Sequence, residues 1–460
     1  MKIGEKILEY ADEMLETLAG LIAIPSVCGR PEEGMPYGKP SAEALQYILE
    51  KACGMGFSVV NVGNYAGHAE YGQGEEIAAV LAHVDVVPPG RGWDTDPFAL
   101  TRQGDLLFGR GMADDKGAAV VALYCLKALK DQQVIGKRRL RVIFGAGEEV
   151  GMDDLEQYFA KEPLPDLAFT PDAEYGICNR EKGILQARLS CAASGGFLRS
   201  FSAGSVVNAV PERAVAELGC TDEEAGQLQS ALPSQSPASF SLEKQEGGWA
   251  LVCKGVAAHA MCPEEGVNAA AYLLDFLCRH IAPERLGRLP VFLHGKIGTA
   301  FDGAALGIAQ ADKPSGPLTL NLGTVQIRDG QAAAQIDIRF PVTSQGEAII
   351  QAITEQAERE GVLFSVGNYN PPLYLPEESR LISVLQEAYA AVMGERPSLY
   401  ATGGGTYARA VKGRGVAFGP VFPDEPDRRM HNSNEHIDWK RFLLHAQICL
   451  EAMYRMLTQG

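Results

Sequence analysis

A histidine and several carboxylates lie between residues 81 and 117, directly after a short apolar run. His83 and Asp85 follow residues 79–82, whose composition is typical of a buried strand. Residues two apart on an extended chain point to the same side, so Asp85 could hold one nitrogen of His83 while the other nitrogen binds a metal. Asp114 and Asp115 come immediately before a helical pattern. These residues suggest a metal site, although a hydrogen-bonded surface pair and a helix cap are the alternatives.

Further acids follow two later apolar segments that are predicted to be strands. Residues 140–144 run into a glycine-rich turn that carries Glu148 and Glu149, and residues 167–170 run into Asp172. Glycine lets the backbone turn tightly and approach a ligand. Functional side chains collect at the carboxyl ends of parallel strands. The repeated placement of acids after strands therefore supports the interpretation of a site.

The hydrophobic pattern up to residue 183 predicts an α/β domain with a largely parallel sheet. Its predicted helices span residues 5–24, 41–55, 118–129 and 153–161, and its predicted strands span residues 57–62, 75–87, 140–144 and 167–170. The alternation of helices and strands is the basis of this prediction.

A different pattern begins after residue 183 and predicts an inserted α+β lid domain with an antiparallel sheet. Its predicted strands are residues 184–191, 205–219, 240–243, 249–254, 318–325 and 333–341. A turn at Asp329-Gly330 joins the last two strands. Its predicted helices are residues 268–280 and 345–361. Helices at 379–393 and 439–457 resemble the first domain again. We therefore expect a catalytic domain of residues 1–183 and 373–460, interrupted by a lid domain of residues 184–372.

The overall composition argues against several classes of protein. The chain has 460 residues and a formal net charge of -17, which disfavours binding to nucleic acid or to an anionic membrane. Ten cysteines without a Cys-x-x-Cys pair are typical of reduced thiols in a cytoplasmic protein. We find no signal peptide and no run of about 18 apolar residues that would predict a membrane span.

Five motifs resemble those of a family of dinuclear zinc peptidases. They are HVDVVP at 83–88, GRGMADDKG at 109–117, GAGEEVG at 145–151, TPDAEYG at 170–176 and MHNSNEH at 430–436. That family includes dipeptidase V, carnosinase, aminoacylase, bacterial glutamate carboxypeptidase and succinyl-diaminopimelate desuccinylase. The dipeptidase V branch is the most similar, through HVDVVPPGRGW followed by DPF, SVVNAVPERA, AAHAMCPEEGVNA and TGGGTYARA. The resemblance covers almost the whole chain.

The resemblance implies a centre with two divalent metal ions. His83 and Asp172 would bind one ion, Glu149 and His431 would bind the other, and Asp114 would bridge the two. Such a set of ligands leaves open positions, as in catalytic zinc sites. Zinc is the expected metal, with manganese or cobalt as alternatives.

Two further acids receive roles from the same resemblance. Asp85 would orient His83. Glu148 would be the general base: it would take a proton from a water that bridges the metals, leaving a hydroxide, and pass this proton to the departing amine. The family pattern also implies a cis peptide bond between Asp114 and Asp115. His436 lies beyond the ligand position of its motif and receives no role.

The lid domain would supply the residues that contact the substrate. His259 resembles the family's stabiliser of the oxyanion, and Asn208 and Arg339 resemble residues that contact the substrate. Arg339 could form a two-pronged pair with a free carboxylate. The backbone of a glycine loop would bind the same group; the loop consists of Gly403, Gly404 and Gly405. Each residue also has a plain interpretation, as a buried polar group, an ion pair or an ordinary turn.

The sequence therefore predicts a cytoplasmic metallodipeptidase, a monomer or homodimer, that hydrolyses dipeptides with free termini. The alternatives are a deacylase of N-acyl amino acids from the same family and an inactive relative that binds a ligand. All five predicted metal ligands and Glu148 are present, which disfavours the inactive relative.

Overall fold

The computed structural model describes residues 2–194, 196–245 and 247–459. The chain forms two compact units. The first unit consists of Met1–Asn179, Leu373–Tyr400 and Gly405–Gly460, and the second of Arg180–Pro372 and Ala401–Gly404. The first unit is thus assembled from segments on both sides of the second in the sequence. Within the described ranges, no helix is both long enough and apolar enough to cross a membrane.

The strands are numbered in chain order. They are β1 (Ser58–Val62), β2 (Ala66–Gly72), β3 (Ile77–His83), β4 (Thr101–Gln103), β5 (Leu106–Phe108), β6 (Arg139–Gly145), β7 (Leu167–Thr170), β8 (Ala173–Glu174), β9 (Ile177–Glu181), β10 (Gly183–Ala192), β11 (Leu198–Ala203), β12 (Arg213–Leu218), β13 (Ser239–Gln245), β14 (Gly248–Lys254), β15 (Ala311–Asp312), β16 (Gly316–Pro317), β17 (Thr319–Arg328), β18 (Gln331–Phe340), β19 (Leu363–Asn370), β20 (Leu373–Tyr374), β21 (Leu399–Thr402), β22 (Gly415–Ala417), β23 (Pro420–Val421) and β24 (His436–Asp438).

The α-helices are numbered in the same way. They are α1 (Ala11–Ile22), α2 (Lys39–Gly54), α3 (Lys116–Asp131), α4 (Asp153–Phe159), α5 (Asp222–Ala231), α6 (Ala269–His280), α7 (Pro283–Leu286), α8 (Arg288–Lys296), α9 (Gly346–Arg359), α10 (Arg380–Met393) and α11 (Trp439–Thr458). Short 3-10 helices lie at Ile3–Tyr10, Glu148–Val150, Pro263–Glu265, Ala304–Leu306 and Tyr407–Val411.

A mixed sheet with a parallel centre organises the first unit. Its order includes β1-β2-β6-β3-β7-β22-β9-β20, and β6, β3, β7 and β22 are parallel. Strand β3 is buried along its whole length because both faces of the sheet are covered. Val80 and Ala82 pack into the core that contains α1, α2, α3 and α11, whereas Ala79 and Leu81 pack on the opposite face against Tyr407. The predicted α/β architecture is confirmed.

An antiparallel sheet organises the second unit, in the order β13-β14-β12-β11-β17-β18-β10-β19. The predicted hairpin is confirmed: Arg328 pairs with Gln331, and the turn residues Asp329 and Gly330 have φ angles of 49° and 76°. Positive φ at both positions is the requirement of a tight two-residue turn. Helices α6 and α9 bury apolar side chains in the same core as the sheet.

Some predicted elements differ from the structure. The strand predicted over residues 75–87 is shorter in the structure, where β3 lies inside that range. The prediction of a strand over 205–219 is wrong in its first half, because residues 204–212 form a loop before β12. Pro211 has no backbone N–H to give to a ladder, which disfavours a strand there. Strand β2 was not predicted, because its sequence AGHAEYG lacks an apolar run.

Candidate metal centre

Three neighbouring strands end at one edge of the sheet in the first unit, and the residues at and beyond these ends carry predicted ligands. Strand β3 ends at His83, which is aligned with Gly145 of β6. Strand β6 leads to the 3-10 helix Glu148–Val150, and β7 leads to Asp172. A side chain at position 145 would not fit, because its Cβ would lie 1.8 Å from the Tyr407 hydroxyl oxygen. The sheet therefore gathers these residues.

Asp114 lies between two histidines. The Nε2 atom of His83 is 2.9 Å from Asp114 Oδ1, and the Nε2 atom of His431 is 2.9 Å from Asp114 Oδ2. Glu149 Oε1 is 3.3 Å from His431 Nε2. Ligand atoms of His83, Asp114 and Glu149 all lie within 4.8 Å of one another. One carboxylate thus faces an imidazole with each of its oxygens.

Asp172 and Glu148 add two buried carboxyl groups to this centre. Burial and, after it, the charge of Asp114 raise the pKa of Asp172 to about 8. Burial also raises the pKa of Glu148 well above its usual range. The charge of His83 lowers this pKa, and the charge of Asp172 raises it further. Both acids are therefore disfavoured as free anions unless a cation neutralises them.

The histidines and Asp114 have complementary shifts. Burial alone would lower the pKa of His83, but hydrogen bonds to Asp114 and Asp85 hold this pKa well above its usual value. Close contacts with the carboxylates of Asp114 and, after it, Glu149 raise the pKa of His431 to about 10. The pKa of Asp114 is low in spite of its burial, because both histidines bond to it. The carboxylates therefore favour positive charge at both imidazoles.

The residues of the centre fit divalent cations. Glu149 Oε1 is buried and accepts no hydrogen bond, although His431 Nε2 is nearby, and Asp115 Oδ1 is equally without a donor. Buried carboxylate oxygens without donors are costly. Carboxylate oxygen and imidazole nitrogen are the ligands of zinc and manganese sites. A positive ion would satisfy these atoms and balance the charge of the surrounding acids.

Asp85 holds the turn that carries Glu148. Its two carboxylate oxygens accept hydrogen bonds from the backbone N–H groups of Glu148 at 3.2 Å and Glu149 at 3.1 Å. His83 Nδ1 donates to the backbone oxygen of Asp85 at 3.0 Å, whereas Asp85 Oδ1 is 3.4 Å from the same nitrogen. A carbonyl can only accept, so the neutral ring carries its proton on Nδ1 and leaves Nε2 for a metal. The main chain of Asp85 is thus the closer partner of His83.

Asp154 and Tyr407 support the same turn, and the sequence did not single them out. Asp154 Oδ2 accepts the backbone N–H of Gly147 at 2.9 Å and the hydroxyl of Tyr407. Burial and, after it, the charge of Asp85 raise the pKa of Asp154 to about 7. Tyr407 belongs to the TGGGTYARA segment, which was the only signal for it in the sequence.

Glu435 and Arg110 were also missed, although both lie inside quoted motifs. Their side chains are buried and form an ion pair. Glu435 accepts backbone N–H groups around Asp114. A motif shows residue types but not burial, so these residues could have been found only by asking what holds the loop of Asp114.

In the second unit, Asn208 and His259 lie on two paired loop segments. The N–H of Ala260 donates to the backbone oxygen of Asn208 at 2.9 Å. The N–H of Met261 donates to His259 Nδ1 at 3.1 Å, which places the proton of the neutral ring on Nε2. Burial and, after it, the charge of Arg339 lower the pKa of His259. The neutral ring is thus favoured, and its Nε2–H is a hydrogen-bond donor.

Arg339 is largely committed to protein partners. Its Nε atom donates to Asp337 Oδ1 at 2.5 Å, its Nη2 atom to Asp337 Oδ2 at 2.9 Å, and its Nη1 atom to the backbone oxygen of Gly403 at 2.8 Å. A two-pronged pair with a substrate carboxylate would therefore have to use the Nη1–Nη2 edge of the guanidinium.

Along the chain, the division between the two units falls within the glycine loop. Gly403 and Gly404 belong to the second unit, and Gly405 belongs to the first. The N–H of Gly404 donates to Thr402 Oγ1 at 3.0 Å, so this group already has a partner. A Cβ at Gly403 would lie 2.7 Å from Met261 Cβ, which explains why glycine is needed there.

The other histidines have protein partners. His436 Nδ1 is 2.8 Å from the backbone oxygen of Asn434, and its ring packs against Phe108. His68 and His445 are buried, and each is hydrogen-bonded through Nδ1 to a tyrosine hydroxyl. These contacts agree with packing roles.

Comparison with known proteins identifies similar chains. The model of "Peptidase family M20/M25/M40" matches residues 79–455. "Putative dipeptidase YtjP" of Bacillus subtilis strain 168 is 34% identical over 463 residues, which is 98% of each chain. Human carnosine dipeptidase 1 is 15% identical with a TM-score of 0.58 over 99% of each chain. The dipeptidase Dug1p of Saccharomyces cerevisiae is 14% identical with a TM-score of 0.60, over 100% of this chain and 98% of its own. These two structures share the fold.

Proposed function

We propose that this chain, which belongs to peptidase family M20/M25/M40, is a dinuclear metallodipeptidase that acts on dipeptides with free termini. Family membership and the relative of 34% identity make the chain a peptide-bond hydrolase of a metallopeptidase family. The choice of dipeptides as substrates is supported by the name of that relative. The proposal includes a monomer or homodimer and a location in the cytoplasm; ten free cysteines support the location.

The observation that carries the proposal is the position of Asp114 between two imidazoles. A carboxylate that binds a single metal ion would need only one histidine beside it. Asp114 has a histidine at each of its two oxygens. We assign His83 and Asp172 to one ion, Glu149 and His431 to the other, and Asp114 to both. Two divalent ions in such a site polarise the scissile carbonyl and make water more acidic.

Glu148 is the proposed general base. Its backbone N–H is fixed by Asp85, and it directly precedes the proposed ligand Glu149 in the chain. Its carboxylate would accept a proton from the attacking water and return that proton to the nitrogen of the leaving amine. Burial, which raises its pKa, suits a group that must hold a proton between these two steps.

Three residues of the second unit complete the proposal. His259 would donate its Nε2–H to the developing oxyanion of the substrate. Asn208 and Arg339 would contact polar groups of the substrate, and Arg339 would use the edge of its guanidinium that Asp337 leaves open. The backbone of Gly403, Gly404 and Gly405 would contribute further polar groups.

A substrate panel with one active-site variant tests the proposal. The full chain is loaded with zinc, manganese or cobalt and assayed with dipeptides, tripeptides and N-acyl amino acids. We expect turnover of dipeptides, and loss of activity when either terminus is blocked. Glu148→Gln should lower kcat by about 100-fold to 10,000-fold, because it removes a general base while keeping the backbone N–H bonded to Asp85.

Metal content measured on the same samples makes the outcome specific. Glu148→Gln should retain the metal content of the unchanged chain, since Glu148 is not a proposed ligand. Turnover restricted to N-acyl amino acids would refute the dipeptidase assignment in favour of a deacylase. Metal binding without any turnover would favour an inactive relative, and full activity of Glu148→Gln would refute the mechanism.

A further inference from the structure

Glu435 is a buried carboxylate whose oxygens are occupied by the loop of Asp114. Its exposed fraction is 0%. One oxygen, Oε1, accepts backbone N–H groups from Gly111 at 3.1 Å, Ala113 at 2.8 Å and Asp114 at 3.2 Å. The other oxygen, Oε2, accepts a hydrogen bond from Arg110 Nη1. Four donors use the acceptor sites of the carboxylate, so Glu435 holds protein groups rather than a metal ion.

Arg110 connects this loop to two other segments. Its Nη2 atom donates to the backbone oxygen of Asn432 at 3.1 Å and reaches the backbone oxygen of Pro88 at 3.5 Å. Asn432 directly follows His431, and Pro88 lies in the segment after β3. The indole ring of Trp93 lies 5.4 Å from the guanidinium carbon. One guanidinium thus joins the loop of Asp114 to two other segments of the chain.

The loop around His431 needs such support because of its backbone. Arg429, His431 and Asn434 have φ angles of 58°, 61° and 61°. Residues with side chains rarely adopt this left-handed region, because the Cβ atom crowds the backbone. Three such residues lie within six positions of one another. The bond from Arg110 to the Asn432 carbonyl fixes the backbone beside one of them.

We infer that the Arg110–Glu435 pair is a positioning device that sets Asp114 against His431, so that the shared carboxylate and its imidazole are in place before metal binds. The inference rests on the proposed function, because it takes Asp114 and His431 as metal ligands. Glu435 fixes the backbone on the Asp114 side, and Arg110 fixes it on the His431 side. Groups that orient metal ligands from behind commonly change metal affinity by about 10-fold to 100-fold when they are replaced.

The test is a cobalt titration of the full chain after removal of metals by a chelator. Glu435→Gln keeps the size of the side chain but loses one acceptor oxygen and the charge that pairs with Arg110. Visible absorption of bound cobalt reports both the number of ions and their ligand geometry. We expect cobalt affinity to fall about 10-fold to 100-fold and the absorption spectrum to change. The variant Arg110→Lys, which keeps the charge but loses the two-pronged guanidinium, should act in the same direction.

A second ion pair of the same unit, with a buried glutamate, provides the matched control. Glu451 is 2% exposed, accepts the backbone N–H of Gly4 at 3.0 Å and pairs with Arg455. Glu451→Gln should lower thermal stability without changing cobalt affinity or the absorption spectrum. This control separates loss of stability from loss of ligand positioning.

The outcomes distinguish this inference from the function on which it rests. If the unchanged chain binds no cobalt, the proposed metal centre itself is refuted. If the unchanged chain binds two equivalents and Glu435→Gln binds them with the same affinity and spectrum, the pair is only structural and the inference is overturned. Arg110→Lys provides the same decision if Glu435→Gln does not fold.

Discussion

Replacement of Asp85 with asparagine tests how the turn of Glu148 is held. The carboxylate of Asp85 accepts one backbone N–H with each oxygen, from Glu148 and from Glu149. Asparagine has the same size but only one acceptor oxygen, and its NH2 group is a donor. Whichever orientation the amide adopts, a donor will face one of the two backbone N–H groups. The bond from His83 to the main chain of residue 85 is unaffected by the substitution.

The expected size of the effect follows from these contacts. A hydrogen bond to a charged group is worth about 1.5 to 3 kcal/mol, and a buried donor left without an acceptor costs about 1 to 3 kcal/mol. The two contributions overlap, so we expect Asp85→Asn to reduce the free energy of unfolding by about 2 to 4 kcal/mol. Displacement of the turn should also lower kcat/KM by about 10-fold to 100-fold, because the positions of Glu148 and Glu149 depend on it.

Urea denaturation and steady-state kinetics on metal-loaded protein measure both effects. Asp438→Asn is the matched control, because Asp438 accepts the backbone N–H groups of Lys440 at 2.8 Å and Arg441 at 3.0 Å at the start of α11. Asparagine is as good as aspartate at a helix N-terminus, so this control should change stability little. Equal behaviour of the two variants, with unchanged kcat/KM for Asp85→Asn, would refute the assigned role of Asp85.

Three further predictions concern the surroundings of the centre. Tyr407→Phe removes a hydrogen bond to the buried Asp154, so it should reduce the free energy of unfolding in urea by about 1.5 to 3 kcal/mol and should also lower kcat. The control Tyr158→Phe should reduce the free energy of unfolding but leave kcat unchanged. In the metal-free protein, the raised pKa of Asp172 means that the folded state binds more protons than the unfolded state between about pH 4 and pH 8. Its thermal stability should therefore fall as pH rises through this window, by up to about 1.4 kcal/mol per pH unit for each such group, and a rise would contradict the assignment. His259→Ala should lower kcat about 100-fold to 1,000-fold with little change in KM, and an unchanged kcat would exclude it as the oxyanion donor.

The parts of the fold that could be predicted are those where one residue pattern has one structural solution. Residues 79–82 are apolar because both faces of β3 are covered, and the sequence shows this directly. The Asp329-Gly330 turn was predictable because both positions need positive φ. Strand β2 was not predictable from the sequence. Its buried polar residues have hydrogen-bond partners that are distant in sequence, such as the hydroxyl of Tyr158 for His68.

The site shows the same division between residue types and their partners. The sequence could nominate His83, Asp114 and His431, because histidine and carboxylate chemistry is visible in a motif. It could not show that Glu435 accepts three backbone N–H groups, because these bonds depend on the path of a loop. The contact of Arg339 with Asp337 was hidden for a different reason. The two residues alternate on β18 and look like an ordinary strand pattern, although they form a buried pair.

The arrangement of the first unit has a consequence for the order in which this protein matures. Translation produces His83, Asp114, Glu149 and Asp172 before the second unit, but His431 only after it. During this interval a nascent chain carries four of the five proposed ligands, while Arg110 still lacks Glu435 and the Asn432 carbonyl. Metal bound at that stage would be held by an incomplete set. With the proposed ligand set, we therefore expect secure metal capture to be a late event that requires the segment before α11, and a chain terminated upstream of that segment to bind metal more weakly than the full chain.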